Sequence, residues 1–188
     1  MFRFLKYIIQ LILSPAKGWD DVENANPLPE RLFLSGMVPL LLVAALTEFV
    51  PLLADGGISL GTAIIRAIVD FGTYFVSVFI ARLIFEVYLG KVCEGRPDTR
   101  RGYTTAVLAL GMMVLIRIVD NLCPWDLIFM RLLPIYVVLV LYKSCGYMKV
   151  QADSEMRYLA MASLATVVVP LAIYYLFYLL LPRTIPKT

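Results

Sequence analysis

The stretch Ile58–Leu89, ISLGTAIIRAIVDFGTYFVSVFIARLIFEVYL, decides the fold. It is too long and too apolar for a helix of a soluble domain, yet it carries Arg66, Asp70, Arg82 and Glu86. At about 1.5 Å per residue it runs roughly 46 Å, against a hydrocarbon core of about 30 Å. The reading is a transmembrane helix that overshoots, with ends that reach the headgroups. Both charge pairs are spaced i,i+4 with opposite signs, one turn apart. At about 100° per residue the Arg66/Asp70 pair and the Arg82/Glu86 pair face opposite sides of the helix.

The composition around this stretch agrees with it. Of 188 residues, 61% are hydrophobic and only 16% charged, and the mean hydropathy is +0.82. Soluble domains carry about a quarter charged residues, so this chain has too little polar surface to cover itself. It has room for one helical bundle and none for a soluble domain beside it. There is no histidine, which removes the usual metal ligand and neutral-pH base. The three cysteines, Cys93, Cys123 and Cys145, are far apart and suggest neither a disulfide framework nor a zinc site.

Hydropathy and turn residues predict five spans: Leu32–Leu53, Ile58–Leu89, Tyr103–Leu122, Leu127–Tyr147 and Met156–Leu181. Ahead of them, Met1–Leu13 reads as an amphipathic interfacial helix. Arg3, Lys6, Gln10, Ser14 and Lys17 form its polar stripe, with Phe2, Leu5, Ile8, Ile9 and Ile12 opposite. A signal peptide is disfavoured, because that stripe interrupts the apolar run and SPAK is a poor cleavage site. Ser14-Pro15 ends the helix. Ala16–Arg31 reads as a polar connector in which Trp19 suits the headgroup layer. The expected organisation is residues 1–31 as interfacial helix and cytoplasmic connector, and residues 32–188 as a five-helix membrane domain. The fold class is all-α, polytopic.

Lysines and arginines fall unevenly about these spans. Arg3, Lys6, Lys17, Arg31, Lys91, Arg96, Arg100, Arg101, Lys143, Lys149 and Arg157 collect on one side, and only Arg183 and Lys187 on the other. The excess marks the cytoplasmic side, so the N-terminus is expected inside and the C-terminus outside. With that orientation Glu48, Arg66, Asp70, Arg117, Asp120, Asp126 and Arg131 all lie in the outer half of the bundle. An ionised group in hydrocarbon costs at least about 2.5–3.5 kcal/mol, so these side chains should face one another, the bundle interior or water. Two readings stay open: a polar vestibule open to the outside, or local ion pairs that hold helices in register. Arg3, Lys6, Lys17, Arg96, Arg100 and Arg101 are candidates for contact with anionic lipid or a partner at the cytoplasmic face. The positive-inside bias alone also accounts for them.

Pro39, Pro134 and Pro170 are expected to kink spans one, four and five. Ala106, Ala109 and Gly111 in span three, and Ala160, Ala162, Ser163 and Ala165 in span five, suit close helix packing. Catalytic signatures are missing: the sequence has no HExxH, GxSxG, P-loop or Gly-rich dinucleotide turn. No enzyme activity, cofactor or metal is called for. The basic loop is short and lacks interleaved aromatics, so nothing supports nucleic-acid binding.

The pattern resembles the Yip domain family (Ypt/Rab-interacting-protein type) in its short prokaryotic form. An amphipathic N-terminal segment leads into SPAKGWDDV, with Ser14-Pro15 and Trp19 in the family's proline-then-tryptophan order. Arg100-Arg101-Gly102-Tyr103-Thr104 opens the third span, Pro124 follows it, and Leu141-Tyr142-Lys143 with Gly146 closes the fourth. The long cytoplasmic N-terminal region of eukaryotic members has no counterpart. The resemblance implies a non-enzymatic membrane-organising or trafficking-related protein. Its partners would be anionic headgroups and a protein, either another chain or a second copy of this one. A bacterial inner membrane is the expected location, otherwise an endomembrane. The rival expectation is a small transporter or channel that uses the outer vestibule.

Overall fold

The computed structural model describes residues 1–54, 58–92, 98–123 and 128–181, and the side chains of all of these except 54, 90–92 and 128–131. The described residues form helices and turns without a β-strand. Helix α1 is Phe2–Leu13 and α2 is Pro15–Ala25. They are followed by α3 (Pro29–Leu53), α4 (Leu60–Val92), α5 (Thr99–Leu122), α6 (Ile128–Met148) and α7 (Ala152–Leu180).

Four of these are long and apolar enough to cross a membrane: α3, α4 over Leu60–Leu89, α5 and α7. In α6 the stretch with described side chains, Leu132–Met148, is apolar but shorter. The bundle wears a belt of exposed aliphatic side chains, among them Leu46, Ile68, Leu83, Leu139 and Leu176. Such a surface is stable only against lipid or another apolar partner. The architecture is that of a multi-pass membrane protein.

Helix α5 is the axis of the bundle, with 78% of its spanning window buried, against 39% or less in the other three. Its small residues explain this. Ala106 and Ala109 are fully buried, and a Cβ on Gly111 would meet Phe4 Cζ at 2.7 Å and Ile8 Cδ1 at 2.8 Å. Gly36 of α3 is as tight, since a Cβ there would run into the Phe4 ring. The Phe4 ring is therefore wedged between two helices at the two places where neither has a side chain.

Three local expectations change. The connector Ala16–Arg31 contains helix α2, started by Pro15 at its first turn and closed by Asn26 in the left-handed region. Its apolar side buries Trp19 and Val22. Trp19 is thus no headgroup anchor: it donates to the Val140 carbonyl at 2.9 Å and stacks on Tyr147 at 5.2 Å. The inward face of α1 is Phe4, Ile8 and Leu11, while Phe2, Ile9 and Ile12 point outward. Finally, α5 begins at Thr99, because the Asp98 carboxylate accepts from the Arg100 and Arg101 amides. Those two arginines sit in its first turn instead of in a loop.

Pro39 and Pro170 each follow a π-turn, Phe33–Met37 in α3 and Leu164–Val168 in α7. In each, the N–H of the valine before proline reaches a carbonyl five residues back, Val38 to Phe33 and Val169 to Leu164. The wider ring makes room for the pyrrolidine inside a continuous helix. Pro134 lies inside α6 without such a turn.

Candidate functional site

Near one end of the bundle, α3, α4 and α5 bring three carboxylates together around Arg117. Its Nε donates to Asp70 Oδ2 at 2.7 Å, and Nη2 meets Glu48 Oε1 at 3.0 Å. Nη1 lies 3.6 Å from Asp120 Oδ2, one turn further along α5. Asn121 completes the cage, with Nδ2 donating to Glu48 Oε1 at 2.6 Å and to Thr47 Oγ1 at 3.0 Å. The side chains of Glu48 and Asp70 are each 3% exposed, that of Arg117 25% and that of Asp120 53%.

Local structure sets these positions. Glu48 ends the long helical run of α3, where its N–H bonds back to the Ala45 carbonyl and the chain turns before Val50–Ala54. That turn aims the carboxylate inward. Asp70, two residues before the helical Gly72, and Arg117, near the end of α5, then meet across the helix interface. The planar guanidinium presents N–H groups on three separate nitrogens to three carboxylates, a spread that the single nitrogen of a lysine does not have.

Beside the cluster lies a cleft of about 130 Å³, lined by Asp70, Thr73, Tyr74, Arg117, Pro170 and Tyr174 among others. Arg117 also lies over the Tyr174 ring at 5.9 Å. Thr73 is 2% exposed, and its Oγ1 has no hydrogen-bond partner in the structure. Buried hydroxyls are almost always paired, so this oxygen is an exception that marks the cleft.

No family model, curated protein or solved structure matches this chain.

Of the seven vestibule residues named from sequence, four converge: Glu48, Asp70, Arg117 and Asp120. Arg66 does not pair with Asp70, contrary to the i,i+4 expectation. It is half-buried and forms no ion pair among the described residues. Asp70 is held by Arg117 of a different helix instead, where the shared burial of both groups strengthens their attraction. Asp126 lies outside the described residues, as does the side chain of Arg131. The second i,i+4 pair does form, with Arg82 Nε 2.7 Å from Glu86 Oε1 at the opposite end of α4. Arg82 also lies over the Tyr103 ring at 4.9 Å.

The basic candidates divide as well. Arg3, Lys6, Lys17 and Arg100 are exposed. Arg101 is taken up inside the protein, where it pairs with Glu23 of α2 at 2.9 Å and Asp98 at 3.4 Å. It also donates to the Tyr147 carbonyl and lies 5.1 Å from that ring's centre. Arg101 thereby ties α2, α5 and α6 together. Arg96 lies outside the described residues.

Sequence reading did not single out Thr47, Thr73, Tyr74, Asn121 or Tyr174. Threonine and tyrosine are ordinary in membrane helices. The available signal was position: Thr73 and Tyr74 fall three and four residues after Asp70, on the same face.

Proposed function

We propose that this chain is a Yip-like, non-enzymatic membrane-organising protein that grips the cytoplasmic leaflet with its first helix and engages a protein partner there. The observation that supports it is the two-sidedness of α1. Phe4, Ile8 and Leu11 are built into the bundle, while Phe2, Ile9 and Leu13 are 91%, 51% and 79% exposed on another face. Lys6 lies beside that second apolar face, and Arg3 and Gln10 continue the polar strip. A helix so arranged leans its outer side into acyl chains while its cations reach phosphates. The exposed cations Arg31, Arg100, Lys149 and Arg157 lie at the helix ends away from the Arg117 cluster, which supports placing those ends in the cytoplasm and the Arg117 end outside, with α6 as the fifth span.

The test is hydrogen exchange of the full chain in bilayers. Wild-type α1 should be protected more strongly in anionic than in zwitterionic lipid. Arg3→Glu with Lys6→Glu should abolish that difference, and protection indifferent to lipid charge would defeat the reading.

The Arg117 cluster favours a second reading, a small transporter or channel with an outward-facing polar vestibule. In that case Asp70→Asn should change solute flux in reconstituted vesicles while the helix content persists. Unchanged flux across a panel of cations and anions would leave the cluster a structural tie.

A further inference from the structure

We infer that the cleft beside Asp70 is a binding site for a small organic ammonium ion. The inference goes beyond the membrane-organising reading and does not depend on it; it asks only for binding, whether or not the ligand crosses the bilayer.

Charge is the first argument. Glu48 and Asp70 are both buried against a single guanidinium, so the inner part of the cluster has one carboxylate more than it has cations. Asp120 and Arg66, both less buried, carry opposite charges and offset one another at longer range. Arg117 already directs all three of its nitrogens at carboxylates, so an anion would have to compete with them for the guanidinium. What the cluster lacks is one positive charge. A buried excess charge is costly unless a counter-charge reaches it.

The second argument is independent of charge. Thr73 Oγ1 is buried, unpartnered and part of the cleft wall. A hydroxyl oxygen there can accept an N–H from a ligand whose other N–H points to the Asp70 carboxylate one turn away. Tyr74 and Tyr174 supply aromatic wall, and Met113, Pro170 and Leu171 apolar wall, which suits an ammonium with a short carbon chain. At about 130 Å³ the space exceeds what one water or a bare ion needs. The only soft donor in the lining is the single thioether of Met113, one ligand where a soft metal needs several.

The experiment uses the purified full-length protein in lipid nanodiscs, with ethylammonium chloride as the probe and equal sodium chloride as the reference. Ethylammonium should raise the unfolding midpoint saturably above the sodium reference, because a ligand of the native state stabilises by mass action. Thr73→Val should weaken the apparent affinity about fivefold, the worth of one lost hydrogen bond, and Thr73→Ser should restore it. Asp70→Asn should remove the effect. Should Asp70→Asn fail to fold, the Thr73 pair of variants still decides. The site is overturned if sodium raises the midpoint equally, if Thr73→Val binds as wild type, or if the midpoint follows pH alone with no response to the amine. That last outcome would mean that a proton supplies the missing charge.

Discussion

Arg117 is the residue on which the polar cluster turns. Replacing one partner of a buried ion pair leaves the other charge stranded, at a cost of about 3–5 kcal/mol. Arg117→Met strands two carboxylates, Glu48 and Asp70, so its loss should reach at least the upper part of that range. Arg117→Lys should fall between methionine and wild type, since an ammonium cannot serve both carboxylates with the same geometry. Denaturant titration in mixed detergent micelles measures both; a methionine variant as stable as wild type would show that the carboxylates are neutralised without Arg117. The sequence made part of this legible. Ionisable side chains in apolar runs announce themselves by their cost, and Glu48, Asp70, Arg117 and Asp120 were all visible in that way. Their pairing was not. Arg66 and Asp70 satisfy the helical spacing for a pair, but a partner on α5 wins by lying deeper in the bundle, and only the packing of three helices reveals it.

At the scale of the element, α1 is held by shape rather than by charge. Gly36 and Gly111 leave a slot that the Phe4 ring fills, so a β-branched side chain at Gly111 must displace the ring. Gly111→Val should raise the amide exchange of residues 2–13 sharply while leaving the α4–α5 contact intact. Phe4→Leu in the same chain should recover part of the protection, because a smaller side chain frees space for the valine. If Gly111→Val leaves that exchange unchanged, the slot does not hold α1. The long helices were legible because hydropathy over twenty or more residues has one reading in lipid. The first two helices were harder. In PAKGWDDVENA, a glycine, two aspartates and an asparagine lower helix propensity, so the burial of Trp19 and Val22, added to Pro15 at the start and Asn26 at the end, makes α2 a helix. In α1, apolar residues occupy most of the circumference, so periodicity alone did not say which arc faces protein and which faces lipid.

For the whole molecule, the decisive quantity is the number of crossings. Single cysteines at Ser59 and Gln151, in a chain freed of its native thiols, report it through a membrane-impermeant maleimide. With the N-terminus inside and α6 crossing, the Ser59 position should label in intact cells and the Gln151 position only after permeabilisation. If both label from outside, α6 does not cross and the orientation of α7 inverts.

The two π-turns bear on the same plan. Each inserts one residue beyond the regular α-helical count, and one residue is about 100° of rotation. Everything downstream in α3, Glu48 included, is turned by that angle relative to a uniform helix that starts at Pro29. The same holds in α7 for Pro170 and Tyr174. The extra residue therefore acts as a phase correction that swings both segments' polar or cleft-lining positions toward the axis. A chain with Ser35 deleted would close the wide turn into a regular one and keep Glu48 in phase, whereas one extra alanine between Leu42 and Val43, in the regular stretch, would dial Glu48 out of the cluster.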